Sequence, residues 1–517
     1  MRKEATLKNS AAGLLNRLAT LLFVFLVRHY FANYLDAEYL GYEGLFQNVL
    51  GLFALIDLGL GTVISFDLYE PIYKKERGQI SSIMALYKKV YCCIGVLIFI
   101  MSLMFTPFLL NFINGYSIDG NNIRLYFLIY AFGVAVSYFF SYKRTLLFAY
   151  QKNYIVTNID TIVKVIGSIL QIFILIVWQN YFLYLLVIVL MNVGSNLLIS
   201  RLTDKGDYYD TKNTKQLSDA YKNKLIKHVK ALAITNIAWQ GVASTDNIII
   251  SATVGILDLA KNANYATITQ AINGIATSVF GGVSASIGDL LAEGNKTKIK
   301  EYFDKYCFVY TIVASYVCLG ILFVSPSVVE IWVGSQYVFE WIPVVLISFN
   351  LYLSLIFKPV VDYQNYSGSF VHYKPYSVIA LFINLAVSII GALTIGISGV
   401  FLGTTITYTF MNYVVIKIVY KYVLMESPID YLKKFLKTNI PFLLGLITVL
   451  SLSKILIISS AVVDLIVKFL FVSIVYFCYV YVVLQREPNF MFFRDLVKKI
   501  INKIFKKNNE QSKNKKN

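Results

Sequence analysis

The sequence predicts an all-α polytopic membrane protein of about 14 transmembrane helices, in two pseudo-symmetric six-helix bundles plus two C-terminal helices. Three observations carry that expectation. First, 57% of the 517 residues are hydrophobic and only 15% are charged, where a soluble domain carries about 25% charged residues. Second, the apolar residues fall into runs of about 20 separated by short polar loops, the length a helix needs to cross a bilayer. Third, 40 of the 47 Lys and Arg lie in the alternate loops 1–11, 67–89, 143–153, 201–230, 290–305, 358–375, 417–437 and 485–517. That asymmetry is what the positive-inside tendency produces when both termini are cytoplasmic and the helix count is even.

The expected segments are 12–34, 43–66, 89–112, 123–142, 154–177, 181–200, 231–254, 263–287, 306–330, 341–362, 376–396, 399–420, 438–459 and 461–484. They divide the chain into an N-terminal six-helix bundle (1–200), a cytoplasmic linker loop (201–230), a C-terminal six-helix bundle (231–420), two peripheral helices (421–484) and a basic cytoplasmic tail (485–517). The polar residues Met1 to Asn9 lead directly into the first segment, so no cleavable leader is expected.

The first two segments hold Arg17, Arg28 and Asp57. Each charge costs at least about 2.5 kcal/mol at the bilayer centre, so each should face protein or water. Arg17 and Arg28 are eleven residues apart, close to three helical turns, which puts both guanidiniums on one face. A cationic stripe in a membrane helix points to a path for something anionic. Ile56-Asp57-Leu58-Gly59-Leu60-Gly61 follows, where two glycines permit close packing or a flex point.

In the fifth segment Thr157, Asp160, Lys164, Ser168 and Gln171 form one polar stripe. Asp160 and Lys164 have i,i+4 spacing for an ion pair. Clamping the bundle and lining a cavity are both open to them. The seventh segment carries Thr235, Asn236, Gln240, Ser244, Asp246 and Asn247, and the eighth Gln270, Asn273 and Thr277. Interhelical hydrogen bonding is the ordinary use of such residues. Their density, and an Asp246 without an evident partner in its own helix, also make them cavity candidates.

Shifting the second segment by 223 residues lays it on the eighth. Tyr42 meets Tyr265, Gln47 meets Gln270, Gly51 meets Gly274, Gly59 meets Gly282 and Ile64 meets Ile287. Parallel repeats of this kind are an established transporter plan. Lys358-Pro359, with Asp362 a turn later, reads as a kink with a snorkelling lysine. The last two segments, whose charges are Lys454, Asp464 and Lys468, read as peripheral. The tail from Gln485 holds ten Lys or Arg and can meet anionic phospholipid headgroups.

No enzyme is expected. His29, His228 and His372 lack ligand spacing, the five cysteines show no disulfide or metal pattern, and no phosphate-binding glycine loop or nucleophile elbow appears. A nucleotide-driven pump is thereby set aside for this chain alone, and no nucleic-acid partner is expected.

Leu40-Gly41-Tyr42-Glu43-Gly44-Leu45-Phe46, Asp57-Leu58-Gly59-Leu60-Gly61 and Phe66-Asp67-Leu68-Tyr69-Glu70-Pro71 resemble bacterial polysaccharide flippases. These are the Wzx-type O-antigen and capsule repeat-unit transporters of the multidrug/oligosaccharidyl-lipid/polysaccharide exporter superfamily. Ser244-Thr245-Asp246-Asn247-Ile248-Ile249-Ile250-Ser251, Asn264-Tyr265 and Ser286-Ile287-Gly288-Asp289 match the second half of the pattern. The resemblance implies a protein of the bacterial cytoplasmic membrane. It would move an undecaprenyl-diphosphate-linked glycan to the outer leaflet by alternating access, beside polysaccharide polymerase machinery. Arg17, Arg28 and Lys164 would meet the diphosphate, for which Arg is well suited. Asp57, Asp160 or Asp246 would couple the cycle to H+ or Na+, with no other cofactor. Gln171, Gln240, Asn247, Gln270 and Asn273 would line the cavity. A lipid II flippase and a multidrug or cation antiporter of the same superfamily are the rivals, with a non-transporting scaffold for glycan assembly behind them. The antiporter fits less well, because cationic drugs favour an acidic first helix and here it carries two Arg.

Overall fold

The computed structural model describes residues 2–57, 60–206, 208–209, 244–367, 369–453 and 460–495. Among them there is no strand, and ten helices are long and apolar enough to cross a membrane. The chain is a multi-pass helical membrane protein. The helices are α1 (Arg2–Tyr34), α2 (Ala37–Phe53), α3 (Leu60–Lys74), α4 (Arg77–Phe105), α5 (Gly120–Ala149), α6 (Asn153–Val177) and α7 (Tyr181–Lys205). After a π-helical turn at Ile250–Val254 come α8 (Ile256–Glu293), α9 (Lys296–Val333), α10 (Trp341–Tyr366), α11 (Lys374–Ile395) and α12 (Ile397–Val419). The amphipathic α13 (Ile429–Thr438), then α14 (Ile440–Ser453) and α15 (Ala461–Leu484), follow. The expected linker, apart from 201–206 and 208–209, lies outside the described residues, as do Gly59, Thr235, Asn236, Gln240, Lys454 and the tail beyond Asp495.

The described parts of the expected segments are almost wholly helical; the third tightens to a 3-10 helix at Thr106–Phe112, and the second is interrupted near its middle. There α2 ends at Phe53, a 3-10 turn covers Ala54–Asp57, and α3 begins at Leu60. A carboxylate followed by Gly59 and Gly61 weakens the helical ladder at this point, and a 3-10 stretch within a helix often marks a hinge. Its repeat partner α8 runs unbroken for 38 residues. The shift nevertheless pairs residues of like environment: Tyr42 and Tyr265 are both buried, as are Ile64 and Ile287.

The chain forms two compact units. The first is Met1–Asn264 with Trp332–Tyr337 and Asn384–Val400; the second is Tyr265–Ile331, Val338–Ile383 and Phe401–Asn517. In the first unit α1 packs on α6, where Asn16 Nδ2 donates to Thr161 Oγ1 at 2.8 Å. Helix α5 packs against α3, α4, α6 and α7. Gly41 is required by contact: a Cβ there would stand 2.4 Å from the Ile256 carbonyl oxygen. Backbone bonds hold that junction, with Ile256 N–H donating to Asn114 O at 3.0 Å and Asn114 N–H to Ser251 O at 2.9 Å.

In the second unit α9 and α10 share an apolar core around Cys318, Leu351, Tyr352 and Ile356. Its charges close on each other. Lys358, read from the sequence as snorkelling, instead reaches Asp362 Oδ1 at 2.6 Å, and Tyr306 Oη donates to Asp362 Oδ2 at 3.0 Å. A buried carboxylate one turn away is a stronger partner than the interface. On α15 the buried Asp464 takes Lys468 at 2.7 Å and Ser327 Oγ of α9 at 2.6 Å. Tyr476 Oη donates to Ile312 O at 2.9 Å, so α15 is tied to α9 by polar bonds as well as apolar contact.

Candidate functional site: a cationic cavity in the first unit

Five helices of the first unit enclose a cavity of about 240 Å³. Helical spacing explains its lining. Val24, Arg28 and Phe31 stand on one face of α1, Leu40, Glu43 and Gln47 on one face of α2, and Lys164 and Gln171 two turns apart on α6. Tyr130 of α5 and Tyr184 and Asn192 of α7 complete the wall. Phe31 and Tyr184 pack edge to face with centroids 4.9 Å apart. Gln171 is buried.

The cavity therefore faces two cations and one carboxylate. Gln47 Nε2 donates to Glu43 Oε1 at 3.0 Å. Glu43 interacts electrostatically with both Arg28 and Lys164. Among the described residues no carboxylate closes a salt bridge on either cation. The three groups together carry one net positive charge in a semi-enclosed space, where charge acts more strongly than in water. Two unsaturated cationic donors facing a polar cavity can hold a diphosphate-sized anion.

The other expected site residues lie elsewhere. Arg17 is on α1 outside this lining, and its Nε is buried without a hydrogen-bond partner. Asp160 does not take Lys164. It takes Arg144 of α5 in a two-point pair, both bonds 2.8 Å, and Arg144 also donates to Asn196 Oδ1 at 2.5 Å and Ser195 Oγ at 2.9 Å. The planar guanidinium fork outcompetes an ammonium for two carboxylate oxygens. Asp57 lines a second cavity of the same unit, with Arg144 and Tyr91. Asp246 accepts from Ser388 Oγ at 3.4 Å. Asn247 is a link in a side-chain chain: its Nδ2 donates to Asn48 Oδ1 at 3.2 Å and its Oδ1 accepts from Asn262 Nδ2 at 2.8 Å. Gln270 is exposed and Asn273 half-buried in the second unit, and neither lines the two cavities described here. Gln240 lies outside the described residues.

Two residues escaped the sequence reading. Glu43 stands at the edge of its expected segment, and Arg144 was assigned to a cytoplasmic loop. The fourth expected segment ends at 142, but α5 runs to Ala149 and carries Arg144 to the level of Asp160.

Comparison with known folds places the architecture. No family model and no curated protein matches the sequence. Among solved structures, a lipid II flippase MurJ in an inward closed conformation superposes with a TM-score of 0.65 at 15% identity, covering 95% of this chain and 99% of that one. An inward-facing multidrug resistance MATE family transporter of the MOP superfamily gives 0.56 at 16% identity, covering 76% of this chain and 92% of that one. A MOP superfamily transporter from Pyrococcus furiosus Vc1 (DSM3638), described as having a binding pocket of reversed polarity, gives 0.51 at 15% identity, covering 82% and 97%. The fold is that of these transporters, and no enzyme is among the three.

Proposed function

We propose that this protein is a flippase that moves undecaprenyl-diphosphate-linked glycan repeat units from the cytoplasmic to the outer leaflet by alternating access. The observation that carries the reading is the pair of unsaturated cations, Arg28 and Lys164, on one small polar cavity within a MurJ-like fold. Its volume, about 240 Å³, holds roughly eight waters at about 30 Å³ each. That suits a diphosphate and is too small for a glycan of several rings. In the empty protein Glu43 is the resident counter-ion, and an arriving diphosphate takes over the two cations. Gln171 and Gln47 supply neutral donors at the cavity wall. Arg17 belongs to the approach along α1, and Asp57, Asp160 and Asp246 remain the carboxylates to test for H+ or Na+ coupling.

Both termini are cytoplasmic in this reading, by the distribution of Lys and Arg. The basic tail meets anionic lipid, and the 201–230 linker is the cytoplasmic connection between the two six-helix bundles of this reading. Lipid II is a second substrate to test, because the full-length likeness is to a lipid II flippase. The deciding assay is flipping of a fluorescent undecaprenyl-diphosphate oligosaccharide in proteoliposomes, beside lipid II in a parallel set. Wild type should transport one or both, and Arg28→Ala and Lys164→Ala should lose transport while keeping their fold. Wild-type vesicles that move neither lipid but exchange a cationic dye would replace this reading with an antiporter.

A further inference from the structure

The second cavity of the first unit has a different chemistry. It measures about 720 Å³ and lies between α3, α4, α5 and α7, with Asp57 at its wall. Tyr69, Tyr91, Tyr138 and Phe148 give it aromatic surface. Ser137, Ser141 and Thr145 give it hydroxyls at four-residue spacing along α5. Ser137 Oγ and Ser141 Oγ donate to Val134 O and Tyr138 O of their own helix, which leaves their lone pairs as acceptors.

Two full charges line the chamber, and they are not equivalent. The Arg144 guanidinium is engaged on both terminal nitrogens and Nε by Asp160, Ser195 and Asn196. Asp57 Oδ1 is buried and has no hydrogen-bond partner. The chamber thus offers acceptors and aromatic faces, with its cation already saturated. An anion would meet the Asp57 carboxylate, whose Oδ1 has no hydrogen-bond partner, and no free cationic fork. A bare alkyl chain would leave the acceptor lone pairs of the serine hydroxyls and of Asp57 Oδ1 unused. A ring with several O–H donors and apolar C–H faces answers both halves of the wall, and the volume is in the range of small-molecule sites.

We propose that this chamber binds an uncharged sugar ring, separately from the cationic cavity. The inference deepens the proposed function by giving the glycan its own subsite, and it rests on that reading only for where the sugar comes from.

Gly61 supplies a specific probe. A Cβ there would lie 3.6 Å from the Tyr91 hydroxyl oxygen and 3.7 Å from Thr145 Oγ1. These are ordinary contacts, so Gly61→Ala fits, while Gly61→Leu extends a side chain into the chamber. The experiment is saturation-transfer NMR on the full chain in a detergent without a sugar headgroup. The probes are methyl glucoside and methyl N-acetylglucosaminide, with glucuronate and tetraphenylphosphonium as charged controls. Transfer to the neutral sugars is expected, unchanged in Gly61→Ala and Arg28→Ala and reduced at least fivefold in Gly61→Leu and Tyr138→Ala. Asp57→Asn should weaken it without changing the melting temperature. Any of three results overturns the proposal: no transfer to either neutral sugar, transfer untouched by both Gly61→Leu and Tyr138→Ala, or stronger binding of the phosphonium cation. Because Arg28→Ala should slow flipping and spare sugar binding, failure here and failure of the flippase reading are told apart.

Discussion

Charge is handled in opposite ways in the second unit and in the cationic cavity of the first. In the second unit, Asp362 has Lys358 and Tyr306, and Asp464 has Lys468 and Ser327. At the edge of the same unit, Asp304 and Asp430 share Lys434 at 2.7 and 2.8 Å, and Lys300 reaches Glu426 at 3.2 Å. Each of these groups finds its complement within the protein. In the first unit, Arg28 and Lys164 face a cavity, and the one carboxylate there is bonded to Gln47. An intramembrane charge is a functional candidate by default, but saturation separates the candidates. Closed groups hold helices together, and an unclosed pair is available to a ligand.

The largest effect expected from that contrast is on transport. Arg28→Ala removes a charge-assisted donor worth about 1.5–3 kcal/mol, which is roughly 10- to 100-fold in flipping rate at about 1.4 kcal/mol per decade. The melting temperature in detergent should change little, since Lys164 remains as a counter-ion for Glu43 and Gln47 still donates to it. Lys164→Ala should behave alike, and the double variant should lose less than the product of the singles if both grip one diphosphate. A large loss of fold in either single variant would break the comparison at its first premise.

The mirror experiment is Asp362→Ala. It strands Lys358 and takes one acceptor from Tyr306, and breaking a fully buried pair costs about 3–5 kcal/mol. The Lys358 side chain is 40% exposed, so about 2 kcal/mol is expected after discounting for solvent. Thermal unfolding should show the loss, while flipping per folded molecule stays near wild type. A normal melting temperature with lost transport would move Asp362 into the functional set.

Asp160→Ala tests whether saturation or the unit is the deciding variable, because the Arg144–Asp160 pair is a closed one inside the first unit. Its side chains are 25% and 34% exposed, which puts the expected loss of stability at about 1–2 kcal/mol. The thermal shift should therefore resemble that of Asp362→Ala at smaller size. A variant with wild-type stability and no gradient dependence would instead identify Asp160 as a coupling carboxylate.

How much of this was readable from sequence follows from what hydropathy measures. Runs of apolar residues mark the part of a helix that crosses hydrocarbon, so the number and order of segments came through. They do not mark where the helix ends. Helix α4 begins at Arg77 and α5 continues to Ala149, well into stretches that charge alone labels as loop. That is why Arg144 was missed and Asp160 was matched with Lys164, its only cation at helical spacing. Arg28, Lys164 and Gln171 were legible because a cavity inside a bundle is lined by residues at three-, four- and seven-residue spacing. The break at Ala54–Asp57 was legible as composition, a carboxylate among glycines, but not as geometry. Asn247 was legible as a polar residue on a helix face, but not the Asn48 and Asn262 side chains that meet it.

The smallest predicted effect concerns a half-buried counterpart of the closed networks. Glu38, in the first turn of α2 and ahead of the expected segment 43–66, accepts from Tyr42 Oη at 2.6 Å, Ser117 N–H at 3.0 Å and Ser117 Oγ at 2.7 Å. Partial burial works against its charged form, but those three donors outweigh it and hold the carboxyl below its ordinary value of 4.5. A depressed native pKa contributes stability that is present above the unfolded value and is lost as pH falls through the folded one. Glu38→Gln should therefore melt slightly below wild type at pH 7, and the gap should close below pH 4.5. Because Glu38 is only partly buried, the difference should also shrink with added salt. A gap that persists undiminished at low pH would mean that the amide disturbs the Ser117 contact by shape rather than charge, and that saturation by neutral donors holds this loop without any help from ionisation.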